Sequence, residues 1–115
     1  DARYAHSKLA NGLFSLELSR RLASRRATSN CVSPGHTRSN ILRNVGNRYR
    51  DDARSVQQGA ATPCWLAAAP AASAINGAFY RDFAPAPQSD AQRDTAMAAR
   101  LWAVSETLVG DWLPG

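Results

Sequence analysis

Tyr4 and Lys8 are the two residues of this chain whose types and spacing most clearly suggest chemistry. On a helix, residues four positions apart share one face. A free tyrosine phenol titrates near about 10 and is a poor base at neutral pH, but a lysine ammonium beside it stabilises the phenolate. Such a pair can take a proton from an alcohol or give one to a carbonyl. An interfacial tyrosine beside a solvated lysine has the same spacing, so the pair alone is a hypothesis.

The segment that carries this pair is predicted to be a helix from Tyr4 to about Ala23. It contains no proline, and its apolar residues form two adjacent stripes, which favours burial against two neighbours. Lys8 is the single lysine of a chain whose other thirteen basic residues are arginine. A lysine four residues after Tyr4 is therefore less expected by chance, which favours the functional interpretation of the pair. The stripes comprise Ala10, Phe14, Leu18 and Leu22, and Leu9, Leu13 and Leu16, and the polar side comprises Ser15, Glu17, Ser19 and Arg20.

Two short strands are predicted downstream of this helix. The first spans 26–33 and is closed by the Pro34-Gly35 turn, and the second spans 78–83. A polar stretch over 36–52 reads as a long loop with one helical turn, and loops of that length are usually functional.

Two further helices are predicted, one after each strand. The first spans 55–69, where Ser55 could serve as the cap. Pro85 and Pro87 form a stiff linker, after which Ser89 or Asp90 caps a last helix to about residue 108. The order helix-strand-loop-helix-strand-helix predicts an α/β fold with a parallel sheet and crossover connections.

The charge of the chain is uneven. Residues 1–54 hold eleven basic and four acidic side chains, a net +7, whereas 55–115 hold three and five, a net −2. A basic half can mark a nucleic-acid binder. Tyr49, between Arg48 and Arg50, is the one Phe, Trp or Tyr among the arginines of 20–54. A base-stacking platform requires several such residues, so an Arg-rich surface without nucleic acid is the favoured interpretation.

Cysteine and histidine usage argues against a metal site. Cys31 and Cys64 do not form a C-x-x-C pair, and His6 and His36 do not complete a ligand set. Two free thiols favour a reducing compartment, so we expect a cytoplasmic protein. No stretch has the length and apolarity of a membrane span, so no membrane partner is expected.

The sequence from Tyr4 to Asn11 resembles the active-site helix of the short-chain dehydrogenase/reductase family, and most closely its retinol-dehydrogenase-like members. Four more segments are similar to that family in the same order. They are 27–35 (its sixth strand and the Pro-Gly turn), 59–62 (the start of the next helix), 77–80 (its last strand) and 101–106 (its C-terminal helix). Five matches at compatible spacing are more specific than any one of them.

The resemblance implies a Rossmann-like doubly wound sheet, a nicotinamide cofactor and hydride transfer at an alcohol or carbonyl carbon. On the family pattern Tyr4 is the catalytic acid/base and also one of the cofactor-binding residues, and Lys8 assists the phenol and binds the nicotinamide ribose. Gly35 turns the backbone under the nicotinamide, and Thr37 offers backbone groups to its carboxamide. Ser39 stands where the family usually has threonine, and its hydroxyl keeps that residue's contact with the cofactor. Plain turn chemistry is the other interpretation of the last two residues. The subgroup implies NADP as cofactor, with NAD as the alternative.

Two family features are missing from residues 1–115. These are the glycine-rich turn that holds the pyrophosphate and the catalytic serine that precedes the tyrosine. We therefore expect the C-terminal portion of a single Rossmann-like domain, incomplete and inactive alone, from an NAD(P)-dependent oxidoreductase that acts on a small alcohol or carbonyl substrate.

A second hypothesis belongs to a different class of protein. A non-catalytic remnant could act by helix–helix interaction through 4–23, which is also a possible homo-oligomer contact. In an incomplete domain, several large apolar residues of that helix should be partly uncovered or covered by another copy. They are Leu9, Leu13, Phe14 and Leu18.

Overall fold

This computed structural model describes residues 2–42, 49 and 51–112. Within those ranges the chain forms three α-helices and a small sheet. The helices are α1 (Ala2–Arg21), α2 (Val56–Ala68) and α3 (Thr95–Val109). The strands are β1 (Cys31–Val32), β2 (Phe79–Arg81) and β3 (Ala84–Pro85), in the order β1-β2-β3. The predicted mixed α/β fold is confirmed, and its architecture is compatible with part of a Rossmann-like fold. The loop predicted over 36–52 lies partly outside the described residues.

Helix α2 begins as the sequence predicts, and α3 does not. The Ser55 hydroxyl accepts a bond from the Gln58 amide at 3.2 Å, and the Gln58 side chain accepts one from the Ser55 amide at 2.8 Å, a reciprocal cap. For α3 the expected cap, Ser89 or Asp90, is wrong. Asp90 has helical backbone angles, whereas Asp94 is extended as a cap requires and accepts from the Met97 amide at 2.9 Å.

Only two residues of the first predicted strand, 26–33, join the sheet. The Ser29 amide donates to the Asn76 side chain at 2.9 Å, and the Asn30 amide group donates to the Ile75 carbonyl at 2.7 Å. These polar groups are therefore satisfied by a loop and lie outside the ladder. The ladder begins where Cys31 donates to the Ala78 carbonyl, and β1 and β2 run parallel as predicted.

The second predicted strand, 78–83, ends early in a two-residue hairpin. Asp82 and Phe83 have φ of 51° and 61°, the positive pair of a type I′ turn, and β3 returns antiparallel to β2. Pro85, expected in a linker, is an edge-strand residue, a position that proline tolerates because it has no N–H to donate. The Phe83 amide donates to the Thr62 hydroxyl at 3.2 Å, which helps to hold this uncommon backbone conformation.

The residues that the sequence assigns to one polar side of α1 lie on two sides, and three of them are buried. Ser15 and Ser19 share a face, whereas Glu17 lies about 160° around the helix from both. Ser15, Glu17 and Ser19 are between 4 and 9% exposed. The Ser15 hydroxyl lies 2.9 Å from the Ser29 hydroxyl, and the Asn76 side chain donates to the Ser19 carbonyl at 3.0 Å. We call Ser15, Ser19, Ser29 and Asn76 the polar seam. Directed hydrogen bonds, in addition to apolar contacts, therefore attach α1 to the rest of the chain.

Helix α3 covers another side of α1. The rings of Phe14 and Trp102 stack with centroids 5.3 Å apart, and the Arg21 guanidinium lies 4.5 Å from the Trp102 ring centroid. Leu13 is only 3% exposed, so the expectation that it is uncovered is wrong, because α3 packs on α1. Phe14 remains 48% exposed, and Leu9 and Leu18 are half-buried.

We expect Trp102→Ala to lower the free energy of unfolding by about 2–3 kcal/mol, because it removes both the stack on Phe14 and the cation–π contact. Trp112→Ala is the matched control. Trp112 is 86% exposed, and its removal should cost less than about 0.5 kcal/mol. Urea denaturation of the two variants measures the difference, and equal losses would show that the α1–α3 contact contributes little.

Candidate active site

All five residues predicted to carry catalysis or cofactor binding line one cleft of about 1090 Å³. They come from two elements: the first turns of α1 and the turn that follows β1. The packing of α1 against β1 brings the two elements together. The five residues are Tyr4, Lys8, Gly35, Thr37 and Ser39.

Tyr4 and Lys8 face this cleft from the exposed first half of α1. The Lys8 ammonium lies 5.4 Å from the centroid of the Tyr4 ring, so the two side chains share a helical face, as their spacing predicts. Tyr4 is 60% exposed, which leaves its phenol open to a ligand. The arrangement places a phenol and a lysine side chain next to each other at the cleft wall.

The turn after β1 brings Gly35, Thr37 and Ser39 to the opposite part of the cleft. Gly35 has φ of +73°, a conformation that favours glycine. The Thr37 hydroxyl donates to the Gly35 carbonyl at 3.3 Å, and the Ser39 hydroxyl accepts from the Ile41 amide at 3.5 Å. Both hydroxyls therefore perform turn chemistry, and a contact from Thr37 to a cofactor would come from its backbone.

Helix α2 packs closely against this turn through Gly59. A Cβ atom placed on Gly59 would lie 2.7 Å from the Thr37 Cγ2 atom and closer still to its hydroxyl oxygen. The sequence marked Gly59 only as the start of a helix. The structure shows that its lack of a side chain makes room for Thr37.

Arg54 also contacts the turn, and sequence reasoning missed it. Its amide donates to the His36 carbonyl at 2.8 Å, and its carbonyl accepts from the Arg38 amide at 2.9 Å. Its guanidinium binds both carboxylate oxygens of Asp82, one of them at 2.9 Å. This pairing raises the pKa of Arg54 and lowers the pKa of the Asp82 carboxyl. Neither residue belongs to a recognisable motif, and they are far apart in the sequence.

Cys31 lines the same cleft but is poorly suited to act as a nucleophile. Burial raises the pKa of its thiol, although a hydrogen bond from the Val32 backbone and the charge of Lys8 act in the opposite direction. A raised pKa favours the thiol over the reactive thiolate at neutral pH.

Neither a metal-binding cluster nor a membrane-spanning helix occurs in the described ranges. They hold no group of three or more His, Cys, Asp or Glu side chains placed to bind a metal ion. None of their helices combines the length and the apolar character needed to cross a membrane.

Curated relatives match nearly the whole chain. It is 39% identical over 96% of its length to the WW domain-containing oxidoreductase of Pongo abelii. It is 37% identical over 95% of its length to the polyprenol dehydrogenase of Mus musculus, and 33% identical over 93% to retinol dehydrogenase 12 of Homo sapiens. The matches cover 28%, 36% and 36% of those relatives, so the chain spans about a third of their length. No family model and no solved structure matches it.

We expect Gly59→Ala to destabilise the protein by about 1–3 kcal/mol, because the new methyl group forces Thr37 and its turn to move. Gly12→Ala is the matched control. Nothing lies within 4 Å of a Cβ at Gly12 in α1, so this change should stabilise the protein by about 0.5–1 kcal/mol. Thermal unfolding compares the two variants, and a neutral Gly59→Ala would show that the turn yields easily.

Proposed function

The chain belongs to the short-chain dehydrogenase/reductase family, and from that membership we propose that it contributes the acid/base part of an NAD(P)-dependent oxidoreductase. The reaction is hydride transfer between a nicotinamide cofactor and an alcohol or carbonyl substrate. The observation that carries the proposal is the meeting of all five predicted site residues in one cleft.

The residues present fit a nicotinamide nucleotide. The cleft, at about 1090 Å³, is slightly larger than the roughly 300–1,000 Å³ pockets that hold drug-sized ligands, so it has room for a larger molecule. The positive φ of Gly35 is typical of backbone that a ligand approaches closely. In this proposal the Lys8 ammonium binds the ribose hydroxyls and the backbone of Thr37 binds the carboxamide, while Ser39 maintains the turn. When bound, the cofactor supplies or accepts the hydride.

The protein's own chemistry is proton transfer by Tyr4. During reduction of a carbonyl, the phenol gives its proton to the substrate oxygen as the carbon gains hydride, and the alcohol forms. The positive charge of Lys8 stabilises the phenolate that remains until solvent returns the proton. During oxidation of an alcohol, the same two groups act in the reverse order.

The remaining features of the oxidoreductase are proposed on the resemblance and on the relatives. Two relatives are named as dehydrogenases of polyprenol and retinol, so we propose an alcohol or its carbonyl counterpart as substrate. We propose NADP rather than NAD, and a cytoplasmic location. The glycine-rich turn and the catalytic serine of the family pattern do not occur in residues 1–115, and we assign no residue of this chain to either role.

One observation favours the second hypothesis, a helix–helix interaction surface. An apolar groove of about 380 Å³ runs between α1 and α3, with Leu9, Met97, Leu101 and Val104 in its walls. An interaction through this groove would not require the Tyr4 phenol, whereas the oxidoreductase does. Variants of Tyr4 therefore distinguish the two functions.

We expect Tyr4→Phe to abolish turnover in the complete oxidoreductase and to leave NADPH binding nearly unchanged. Phenylalanine keeps the ring and its packing and loses only the hydroxyl that carries the proton. Steady-state kinetics and NADPH fluorescence measure the two quantities. Tyr80→Phe is the control, because Tyr80 packs near Trp65 and does not line the cleft. Near-normal turnover of Tyr4→Phe would remove Tyr4 from the proposed role.

We expect Lys8→Arg to weaken both turnover and NADPH binding, each by about tenfold or more, although the charge is kept. A planar guanidinium cannot replace a compact ammonium between a phenol and a ribose. The same kinetic and fluorescence measurements apply, together with the pH profile of turnover. An unchanged cofactor affinity and pH optimum would identify Lys8 as a surface lysine.

A further inference from the structure

Arg54 holds the Gly35–Thr37 turn through its backbone. Its amide and carbonyl bind the residues on either side of Thr37, at 2.8 Å to the His36 carbonyl and 2.9 Å to the Arg38 amide. Thr37 and Arg54 thus form an isolated parallel bridge. Two hydrogen bonds around one residue restrict the direction in which its own peptide groups point.

The Arg54 side chain also packs against this turn, beside Gly35. A Cβ atom on Gly35 would lie 3.0 Å from Arg54 Nε and 3.1 Å from Cζ, so the guanidinium occupies the space beside the glycine. Its two terminal nitrogens bind the Asp82 carboxylate, one pair at 2.9 Å. The bidentate geometry fixes the plane of the guanidinium as well as its position.

Asp82 belongs to an element that contacts α2. It lies in the two-residue hairpin turn, next to Phe83, and both have positive φ. The Phe83 amide donates to the Thr62 hydroxyl at 3.2 Å, and the Phe83 ring packs edge-on against Trp65 with centroids 6.0 Å apart. The hairpin is therefore attached to α2 through Phe83. This attachment positions the Asp82 carboxylate where the Arg54 guanidinium binds it.

We propose that Arg54, paired with Asp82, is a positioning residue that orients the Gly35–Thr37 backbone for the nicotinamide end of the cofactor. The inference rests on the proposed oxidoreductase function and assigns two residues to it that carry no motif. Tyr4 and Lys8 belong to another element, α1. The Arg54–Asp82 pair therefore affects cofactor binding at the turn and takes no part in proton transfer.

The test uses Arg54→Lys, Asp82→Asn and the double variant in the complete oxidoreductase, with NADPH as the probe. Asparagine tolerates the positive φ at position 82, so that change removes the charge and keeps the turn. Each single variant should weaken NADPH binding about fivefold, since the pair is partly exposed, with turnover at saturating NADPH changed less than about twofold. The double variant should bind NADPH about as weakly as either single one.

The control is Arg93→Lys, which alters the exposed Arg93–Asp90 pair and should change neither quantity. Unchanged NADPH affinity in the single variants, additive losses in the double variant, or a parallel fall in saturated turnover would each overturn the proposal. If the unsubstituted protein does not bind NADPH, the proposed function fails, and amide hydrogen exchange over residues 35–39 then decides the positioning role. Faster exchange in Arg54→Lys than in Arg93→Lys supports that role, and equal exchange overturns it.

Discussion

One face of α1 carries both the residues that attach the helix to the rest of the chain and the residues proposed to act in catalysis. At about 100° per residue, Tyr4, Lys8, Ser15 and Ser19 fall within about 60° of arc. The first pair lies at the cleft, and the second pair is buried in the polar seam with Ser29 and Asn76. Apolar contacts are non-directional, whereas buried hydrogen bonds specify an orientation. The seam therefore sets the rotation of α1 about its axis, and that rotation directs Tyr4 and Lys8 toward the cleft.

The short strand β1 connects this anchored helix to the turn on the other side of the cleft. Ser29 and Asn30, just before the strand, bind the loop at Ile75 and Asn76, and the turn at Gly35 follows directly after it. The turn is then held from two sides, by Arg54 beside Gly35 and by Gly59 beside Thr37. A strand of two residues can position a site because its flanks are fixed by side chains rather than by a long ladder.

Much of the fold followed from local patterns, and the exceptions have a common physical cause. Apolar periodicity predicted α1, and the Ser55 cap predicted the start of α2, because both signals lie within one element. The burial of Ser15 and the hairpin at Asp82 were missed, since each depends on partners distant in sequence. The family resemblance selected five residues that share one cleft. Arg54 could not be found in that way, because its partner lies 28 residues further along the chain.

The proposed cofactor site is the central claim, and a crystal structure of the proposed oxidoreductase, determined with NADP, would test it most directly. We expect the nicotinamide in the cleft, with its ribose hydroxyls at the Lys8 ammonium and its carboxamide at the backbone of Thr37. The Tyr4 hydroxyl should lie beside the ring, where a substrate oxygen can reach it. A cofactor bound elsewhere, with Tyr4 and Lys8 facing only solvent, would contradict the proposed site.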